Sequence, residues 1–389
     1  MEERKLYRLG DVCLTNQNQY SPRENWHTIE YLDTGSITRN AIESTQTITA
    51  AEELPSRARR KVQDLDIVYS TVRPNQCHYG LLRNPAHNLL VSTGFAVFTV
   101  NQSIANPYYV FYYLTQDSIT TALQAIAEQS VSAYPSLKPA DIEDIKIELP
   151  PLEVQNRIAD ILSSIDNKIE LNTRINHNLE EQAQVFFSHW LNNCEDKVAI
   201  SELCDNILDY TPITAKRVVA LNSSDVTEGI FAELSYTPIS EIKGQFKKRF
   251  EKGDILYSEI RPRNLHYAYC YFNPMDYIAS TRLMVIRSKS EKLYSSVMLY
   301  QYLQMPKVFE EFTSKTESRS GTFPQGNFKD LSSSIVPYSS DNEKISIILE
   351  SLYKLIWKNI DENKSLSSLR DSLLPSLMSG ELTINDLTC

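Results

Sequence analysis

Residues 150–191 read PPLEVQNRIADILSSIDNKIELNTRINHNLEEQAQVFFSHWL, and their spacing predicts one long helix. Apolar side chains recur in alternating steps of four and three, which is the heptad pattern of a coiled coil. At 1.5 Å per residue, roughly 40 residues make a helix about 60 Å long, too long for the interior of an ordinary compact domain. Its seam positions are Ile158, Leu162, Ile165, Ile169, Asn172, Asn176, Leu179, Ala183, Phe186 and Trp190.

The same pattern returns near the end of the chain, in residues 341–380, DNEKISIILESLYKLIWKNIDENKSLSSLRDSLLPSLMSG. Paired asparagines recur at the same steps, and Arg370 stands where the first copy has Ala183. Two apolar stripes in one chain can be buried against each other, so we predict an intramolecular coiled coil. The second seam comprises Ile345, Leu349, Leu352, Ile356, Asn359, Asn363, Leu366, Leu373 and Leu377.

Four asparagines interrupt these seams at positions where leucine would pack better. Buried polar pairs often fix the register of a coiled coil at a cost in stability, and we predict that role here; contact with a partner helix is the alternative. The bulky Phe186, Phe187 and Trp190 either pack on the neighbouring domain or dock a partner. The register asparagines are Asn172, Asn176, Asn359 and Asn363.

The composition is that of an ordinary globular protein. Hydrophobic residues make up 42% and charged residues 23% of the 389, without an apolar run near the roughly 18 residues of a membrane span. The first residues, MEERKLYRLGD, lack the apolar segment of a signal peptide, so we expect a cytoplasmic location. Six scattered cysteines without a CxxC pair predict free thiols and provide no metal-binding template.

The charge distribution limits how nucleic acid can be bound. A formal net charge of −10 argues against a surface that binds polyanions everywhere, so binding needs a local basic patch. Residues 1–150 carry 13 basic and 17 acidic side chains, and residues 192–341 carry 18 and 19. The two segments that precede the long helices are therefore nearly balanced in charge.

Strand-like runs such as DLDIVYSTVRP and LLVSTGFAVFTV alternate with turns before the first long helix. Strands and helices mix without a regular βαβ order, which predicts an α/β fold of mixed α+β type. We predict two such domains, separated by two long antiparallel coiled-coil helices in a pseudo-two-fold arrangement. The segments are a first domain 1–150, a central helix 151–191, a second domain 192–340, a distal helix 341–380 and a tail 381–389.

An internal repeat relates the two predicted domains. RARRKVQDLDIVYSTVRPNQCHYG at 57–80 aligns with QFKKRFEKGDILYSEIRPRNLHYA at 245–268 at a shift of 188. A repeat of this length indicates duplication and, with antiparallel helices, a pseudo-two-fold molecule. The identical pairs are Asp66/Asp254, Ile67/Ile255, Tyr69/Tyr257, Ser70/Ser258, Arg73/Arg261, Pro74/Pro262, His78/His266 and Tyr79/Tyr267.

Basic clusters stand at matching places in the two copies, just before the shared DI(V/L)YS strand. One cluster per domain would give each domain its own contact with the phosphates of a nucleic acid. The alternative is a run of solvated surface charges. The clusters comprise Arg57, Arg59, Arg60 and Lys61 in the first copy and Lys247, Lys248 and Arg249 in the second.

Further candidates for nucleic-acid contact lie in and after the shared strand. Arg73 and Arg261 can fork onto guanine or phosphate, although residues shared by both copies suit a scaffold or backbone-positioning role better. Positions that differ between the copies are better base readers, and these are Arg263 and Arg282, which replace Asn75 and Gly94. Stacking near DNA or ordinary packing is predicted for His78, Tyr79, His266 and Tyr267.

The sequence contains no motif of an enzyme active site. It lacks a GxxxxGK[ST] loop, a GxGxxG turn, an HExxH helix and Cys/His ligand spacing. LPPLE lacks the polar and aromatic residues of the (N/D)PP(Y/F) motif of amino-methyltransferases. We therefore expect no catalytic residue and no metal ligand on this chain.

Three elements together resemble the specificity subunit of type I DNA restriction-modification enzymes. They are the LPPLEVQNRIADILSSIDNKIELNTRINHNLEEQAQVFFSHW block, the SLRDSLLPSLMSGEL ending and the twice-used DI(V/L)YS..RP element. The resemblance implies that each globular segment is a target recognition domain for one half of a split, asymmetric DNA site. It also implies that the helices set the gap and bind two methyltransferase subunits, which a restriction and translocase subunit joins.

The same resemblance implies that the chemistry belongs to the partners. Adenine N6 methylation is expected there, with S-adenosylmethionine, ATP and Mg²⁺ bound by partner subunits and no cofactor on this chain. An alternative is a coiled-coil scaffold whose two globular segments bind protein, which the overall acidity favours. A further alternative is the targeting subunit of a related methyltransferase-nuclease system.

The role of the helices as a spacer is testable by lengthening them. Four residues inserted in each helix add about 6 Å, or nearly two base pairs at roughly 3.4 Å each. Methylation mapping is expected to show a correspondingly longer gap between the two half-sites. An unchanged gap would contradict this role.

Overall fold

The chain forms two compact units. Unit 1 comprises Met1–Glu170 and Asn363–Cys389, and unit 2 comprises Leu171–Glu362. The predicted domain boundaries stay predictions, because each long helix is divided between the two units. This computed structural model describes residues 4–24, 26–49, 54–130, 134–292, 294–317 and 325–383.

Unit 1 combines short strands with four short helices and parts of the two long helices. Its elements in chain order are β1 (Lys5–Arg8), α1 (Leu9–Val12), β2 (Cys13–Thr15), β3 (Thr28–Leu32), β4 (Ile37–Thr38), β5 (Ala41–Ile42), β6 (Gln46–Thr49), β7 (Ala58–Lys61), β8 (Ile67–Ser70), β9 (Tyr79–Leu81), β10 (Leu89–Ser92), β11 (Phe95–Val100), α2 (Pro107–Leu114), α3 (Asp117–Glu128), α4 (Pro139–Glu143), β12 (Lys146–Leu149) and the long α5 (Leu152–Asn192), which continues into unit 2.

Unit 2 repeats this order element by element. Its elements are β13 (Asp196–Ala199), α6 (Ile200–Leu203), β14 (Cys204–Asn206), β15 (Arg217–Leu221), β16 (Val226–Thr227), β17 (Ile230–Phe231), β18 (Thr237–Pro238), β19 (Phe246–Lys248), β20 (Ile255–Ser258), β21 (Tyr267–Tyr269), β22 (Tyr277–Ser280), β23 (Leu283–Ser288), α7 (Ser296–Leu303), α8 (Pro306–Glu317), α9 (Phe328–Ser332), β24 (Ile335–Tyr338) and the long α10 (Glu343–Ser379), which continues into unit 1.

The sheets of the two units have the same topology. Unit 1 has four-stranded sheets of order β6-β3-β10-β7 and β2-β11-β8-β9, and unit 2 has β18-β15-β22-β19 and β14-β23-β20-β21. One parallel pair occurs at the same place in each unit, β3 with β10 and β15 with β22. The first and last strands of each domain also pair, β1 with β12 and β13 with β24. The predicted duplication and mixed α/β fold are confirmed.

The shared DI(V/L)YS element forms the central strand of each domain core. All four residues of β8 are buried, as are all four of β20. Ile67 and Tyr69 pack in the same core cluster as α2 and α3, whereas Val68 packs with Phe95 of β11 in a second cluster. Alternate side chains point to opposite faces of a strand, so a strand covered on both faces is apolar along most of its length, and the buried Ser70 and Ser258 at its end donate to the carbonyls of Val72 and Ile260.

The long helices pack against each other in antiparallel directions within each unit. In unit 1, Arg370 pairs with Asp166 at 2.8 Å, and Asn363 donates to the Ile169 carbonyl at 3.4 Å. In unit 2, Asn359 donates to Asn176 Oδ1 at 2.8 Å. Partner numbers on α10 fall as those on α5 rise, which defines the antiparallel direction.

The seam asparagines bond across this helix pair. Asn172 and Asn176 are 1% and 9% exposed. Asn172 donates to Glu362 at 2.7 Å, and Asn176 donates to the Ile356 carbonyl at 3.2 Å. A hydrogen bond from a buried seam side chain to the facing helix forms only at one relative position of the two helices, which supports the predicted role in register.

The seam departs from a strict heptad toward the end of α5. Phe187 is 1% exposed, whereas Phe186, predicted in the seam, is 45% exposed, so its assignment to the seam is wrong. The buried positions after Ala183 are Phe187 and Leu191, each four residues on. An α-helix has 3.6 residues per turn, so its buried face drifts from a strict heptad where it packs into the domain core as well as beside the second helix. Trp190 lies in that core beside Tyr294, with ring centroids 6.1 Å apart.

Five of the six cysteines lie in the described residues, and all five are free thiols, as predicted; Cys389 lies outside the described ranges. Burial raises the pKa of Cys13, Cys204 and Cys270 to about 12, so these thiols are protonated at neutral pH. Among the described helices, none has the length and apolar character needed to cross a membrane.

The asparagine pair gives a stability prediction. Asn359→Leu should lower the free energy of unfolding by about 1–3 kcal/mol, because the buried Asn176 oxygen loses its donor. The double variant Asn176→Leu/Asn359→Leu should recover most of that loss, since two apolar groups replace a matched polar pair. Urea unfolding followed by circular dichroism measures the free energy of unfolding of the single and the double variant. A double variant as unstable as the sum of the two single variants would rule out this pairing.

Candidate nucleic-acid interface

Three segments of unit 1 meet at one end of the core strands. Thr93, in the turn between β10 and β11, donates its backbone N–H to the Arg57 carbonyl at 2.8 Å. Thr71, just after β8, donates to the Gly94 carbonyl at 2.9 Å. These bonds bring the exposed Arg57 and the Arg73 turn to a common edge, called here the unit 1 rim (residues 57, 71–73 and 93–94).

Arg73 occupies a special place at this rim. Its backbone is left-handed, with φ +47°, and its N–H donates to the Pro135 carbonyl at 3.0 Å. The guanidinium lies 4.7 Å from the centroid of the Tyr134 ring, a cation–π contact that holds a half-buried side chain in place. Tyr134 carries no signal of this contact in the sequence, because the two residues are 61 positions apart in the chain and no local pattern links them.

Unit 2 builds the same edge with different side chains. Thr281 donates to the Gln245 carbonyl at 2.8 Å, and Glu259 donates to that of Arg282 at 2.9 Å. Arg261 repeats the left-handed backbone of Arg73 with φ +48°. Residues 245, 259–261 and 281–282 are called here the unit 2 rim.

Arg263 and Arg282, predicted as base readers, are both exposed: Arg282 belongs to this rim, and Arg263 follows its residue Arg261 by two positions. Arg263 binds Glu317 of α8 in a two-pronged ion pair at 2.7 and 2.8 Å, and this contact lowers the pKa of Glu317. The pair orients the guanidinium of Arg263 at the surface. Arg282 stands where unit 1 has Gly94, and Arg57 stands where unit 2 has Gln245, so each rim carries an exposed cation that the other lacks at the matched position.

A family model decides the relationship of this chain to known proteins. The type I restriction modification DNA specificity domain matches residues 1–181 and, a second time, residues 216–365. The chain belongs to the type I DNA specificity family. Each match covers most of one copy of the repeated fold.

Individual relatives agree with the family. The specificity subunit of the type I restriction enzyme HindI from Haemophilus influenzae is 30% identical over 216 residues, 56% of this chain and 43% of that protein. The chain thus aligns with less than half the length of that relative. The specificity subunit of MjaIX from Methanocaldococcus jannaschii is 22% identical over 80% of this chain and 76% of its own length.

A solved structure shows the same fold. The crystal structure of the type I restriction-modification system S subunit from M. genitalium matches with a TM-score of 0.59 and 14% identity. The match covers 97% of this chain and 96% of that one. At this identity the likeness concerns the fold.

The predicted basic clusters of this specificity-family chain fall into two groups. Arg57 and Lys247 are exposed, whereas Arg59 and Arg249 are half-buried. Lys61 forms an ion pair with Glu24 and lies 5.2 Å from the ring centroid of Trp26, two partners that the sequence analysis missed. Contact of these residues with DNA stays a prediction.

Lys248 contradicts its predicted role in phosphate contact. It is 3% exposed, its Nζ donates to the Leu283 carbonyl at 2.7 Å, and burial lowers its pKa. Its counterpart Arg60 is half-buried with Nε enclosed, and burial lowers its pKa as well. Alternate residues of a strand face opposite sides, so a run of basic residues in β7 or β19 cannot be exposed throughout.

The histidine-tyrosine pairs are framework residues. Tyr79 and Tyr267 are 6% and 9% exposed and lie in the aromatic cores, so a stacking role on DNA is wrong for both. His78 Nδ1 lies 2.7 Å from the Ile37 carbonyl, and His266 Nδ1 lies 2.8 Å from Thr227 Oγ1. Burial lowers the pKa of His266, so its ring is neutral at pH 7. Both histidines thus hold the small hairpins β4-β5 and β16-β17.

The buried lysine generates a prediction with a matched control. Lys248→Met should lower the free energy of unfolding by about 1–3 kcal/mol, because the Leu283 carbonyl stays buried without its donor. The adjacent exposed Lys247→Met should change it by no more than about 0.5 kcal/mol. Urea unfolding monitored by tryptophan fluorescence compares the two variants. Equal effects would show that Lys248 is not a structural residue.

Proposed function

We propose that this chain is the DNA-recognition subunit of a type I restriction-modification complex, with unit 1 and unit 2 each reading one half of a bipartite, asymmetric DNA site. The observation that carries the proposal is the duplicated specificity domain with two rims of the same backbone and different side chains. A shared backbone docks on the duplex in the same way twice, and different side chains then select different bases.

Local charge supports this proposal. The net charge of −10 disfavours binding of DNA over the entire surface, whereas the rims present Arg57 in unit 1 and Arg282 and Arg261 in unit 2 as exposed cations. Local cations fix the position of a protein on the phosphate backbone and make its affinity dependent on salt. We infer that catalysis comes from partner subunits, with S-adenosylmethionine, ATP and Mg²⁺ bound there, and that the complex is cytoplasmic.

The helix α5 supports a role in assembly. Outside its buried seam, unit 2 exposes a second stripe on α5, in which Asn178 and Gln182 separate two apolar pairs. The pairs are Leu171 with Ile175 and Val185 with Phe186, which are 49%, 38%, 66% and 45% exposed. A helix with apolar side chains on two faces is typical of a bundle that gains another helix. We assign this stripe to the methyltransferase subunits, which the restriction subunits join in the complete complex.

Methylation mapping tests the recognition role directly. Coexpression of the chain with its methyltransferase subunits should yield one bipartite motif with two different half-sites. Gel-shift titration of the purified complex should show affinity that falls steeply with salt. Methylation without a split motif, or binding that salt does not weaken, would refute the proposal.

The docking stripe generates its own prediction. Val185→Asp with Phe186→Asp should reduce copurification of the methyltransferase subunits at least tenfold, because two carboxylates cannot be desolvated in an apolar helix contact. Met275→Asp is the matched control, since Met275 is an exposed apolar residue of unit 2, 67% exposed, that lies outside the helices. Size-exclusion chromatography with light scattering measures the mass of the complex that the double variant and the control each form. Unchanged assembly in the double variant would exclude this stripe.

A further inference from the structure

Two small hairpins occupy matching places in the two units. In unit 1 the hairpin β4-β5 turns at Arg39-Asn40, and in unit 2 the hairpin β16-β17 turns at Glu228-Gly229. The hairpins share their threonine, Thr38 and Thr227, but their tips carry opposite charges. Both Arg39 and Glu228 are exposed.

The backbone at both tips is unfavourable for a long charged side chain. Arg39 and Asn40 have φ values of +46° and +69°, and Glu228 and Gly229 have +48° and +84°. Two consecutive left-handed residues make a type I′ turn, which strongly favours asparagine, aspartate or glycine at its centre. Arginine in one hairpin and glutamate in the other therefore each lower the stability of the protein. Such strain is typical of functional sites.

Each tip is held rigidly against the turn that follows the core strand. Arg39 donates its backbone N–H to the Cys77 carbonyl at 2.8 Å, and Glu228 donates to that of Leu265 at 2.9 Å. Asn40 Oδ1 also accepts the N–H of Leu81 at 2.8 Å. Cys77 and Leu265 end the same short turns that Arg73 and Arg261 begin, so each hairpin tip lies next to a rim.

The charge reversal matches the chemistry of base edges. Arginine forms two hydrogen bonds to O6 and N7 of guanine, and glutamate accepts from N4 of cytosine. A carboxylate close to phosphates is unfavourable unless a base amino group compensates it, so Glu228 is a poor general DNA contact. We propose that Arg39 and Glu228 are specificity-determining residues, with Arg39 selecting guanine in one half-site and Glu228 selecting cytosine in the other. This inference rests on the proposed function.

Substitutions that separate base reading from charge test the proposal. Arg39→Lys keeps the positive charge but loses the planar fork, so discrimination for guanine at one position should fall roughly 5- to 150-fold. Glu228→Ala should relax one cytosine position in the other half-site to a similar degree. The readout is methylation mapping of a host that expresses each variant with the methyltransferase subunits, scored at every position of the motif.

Control variants separate recognition from folding. Lys5→Ala and Glu202→Ala remove exposed charges on β1 and α6, away from the hairpins, and should leave the motif unchanged. Arg39→Gly relieves the left-handed strain, so its melting temperature should equal or exceed that of the wild type while the guanine preference is lost. Loss of preference with a lowered melting temperature would count against the proposal.

The outcomes are distinct. Relaxation confined to one position and one half-site for each variant supports the proposal. If Arg39→Lys retains the full motif while Arg39→Ala loses methylation equally at all sites, Arg39 contacts phosphate and the inference is overturned. An unchanged motif in Arg39→Ala and Glu228→Ala also overturns it, while the proposed function stands. A wild-type chain without a bipartite motif overturns both.

Discussion

The packing of α5 against α10 within each unit is the constraint on which the rest of the structure depends. The core of unit 1 includes Leu377 and Met378, which are 0% and 4% exposed although they lie at the far end of the chain. Arg4 donates to the carbonyls of both, so the start of the first domain and the last turn of α10 meet in unit 1. Each globular part thus completes its core with residues from both long helices, which ties the folding of the recognition domains to the helix pair.

The two copies have the same backbone geometry, but matched positions contact the long helices through different kinds of interaction. In unit 1, Arg83 pairs with Glu170 of α5; in unit 2 the matching Tyr271 stacks on Trp357 of α10, with centroids 5.6 Å apart. The Tyr112–Asp166 hydrogen bond of 2.6 Å corresponds to a Gln301–Tyr353 hydrogen bond of 2.6 Å. Coupled changes of this kind let sequences diverge on a constant backbone. The same tolerance allows tip and rim residues to differ between the copies, which is what reading two different half-sites requires.

Local sequence patterns predict some residues of the candidate site and miss others. Exposed Arg57 and Lys247 and the strained turns at Arg73 and Arg261 lie where the repeat predicts a surface. Lys248 and the buried tyrosines differ from the predicted exposed residues. Burial depends on which face of a strand meets a sheet or helix that is distant in the chain. The hairpin tips were missed, although TRNAI at 38–42 and TEGIF at 227–231 carry a two-residue turn signal between short strands. That signal is weak on its own, and only the hydrogen bonds to the neighbouring turn give it a place beside the rim.

The sequence by itself determined the duplication, the mixed α/β class, the two long helices and their asparagines, because periodicity and repeats are properties of the chain alone. The sequence also indicated the family, through motifs that recur in both copies. Only the tertiary structure decided which cations are exposed, which histidines hold hairpins and that Phe187, not Phe186, is buried. Those outcomes depend on contacts between segments far apart in the chain, and side-chain burial is set by the partner surface that each segment meets.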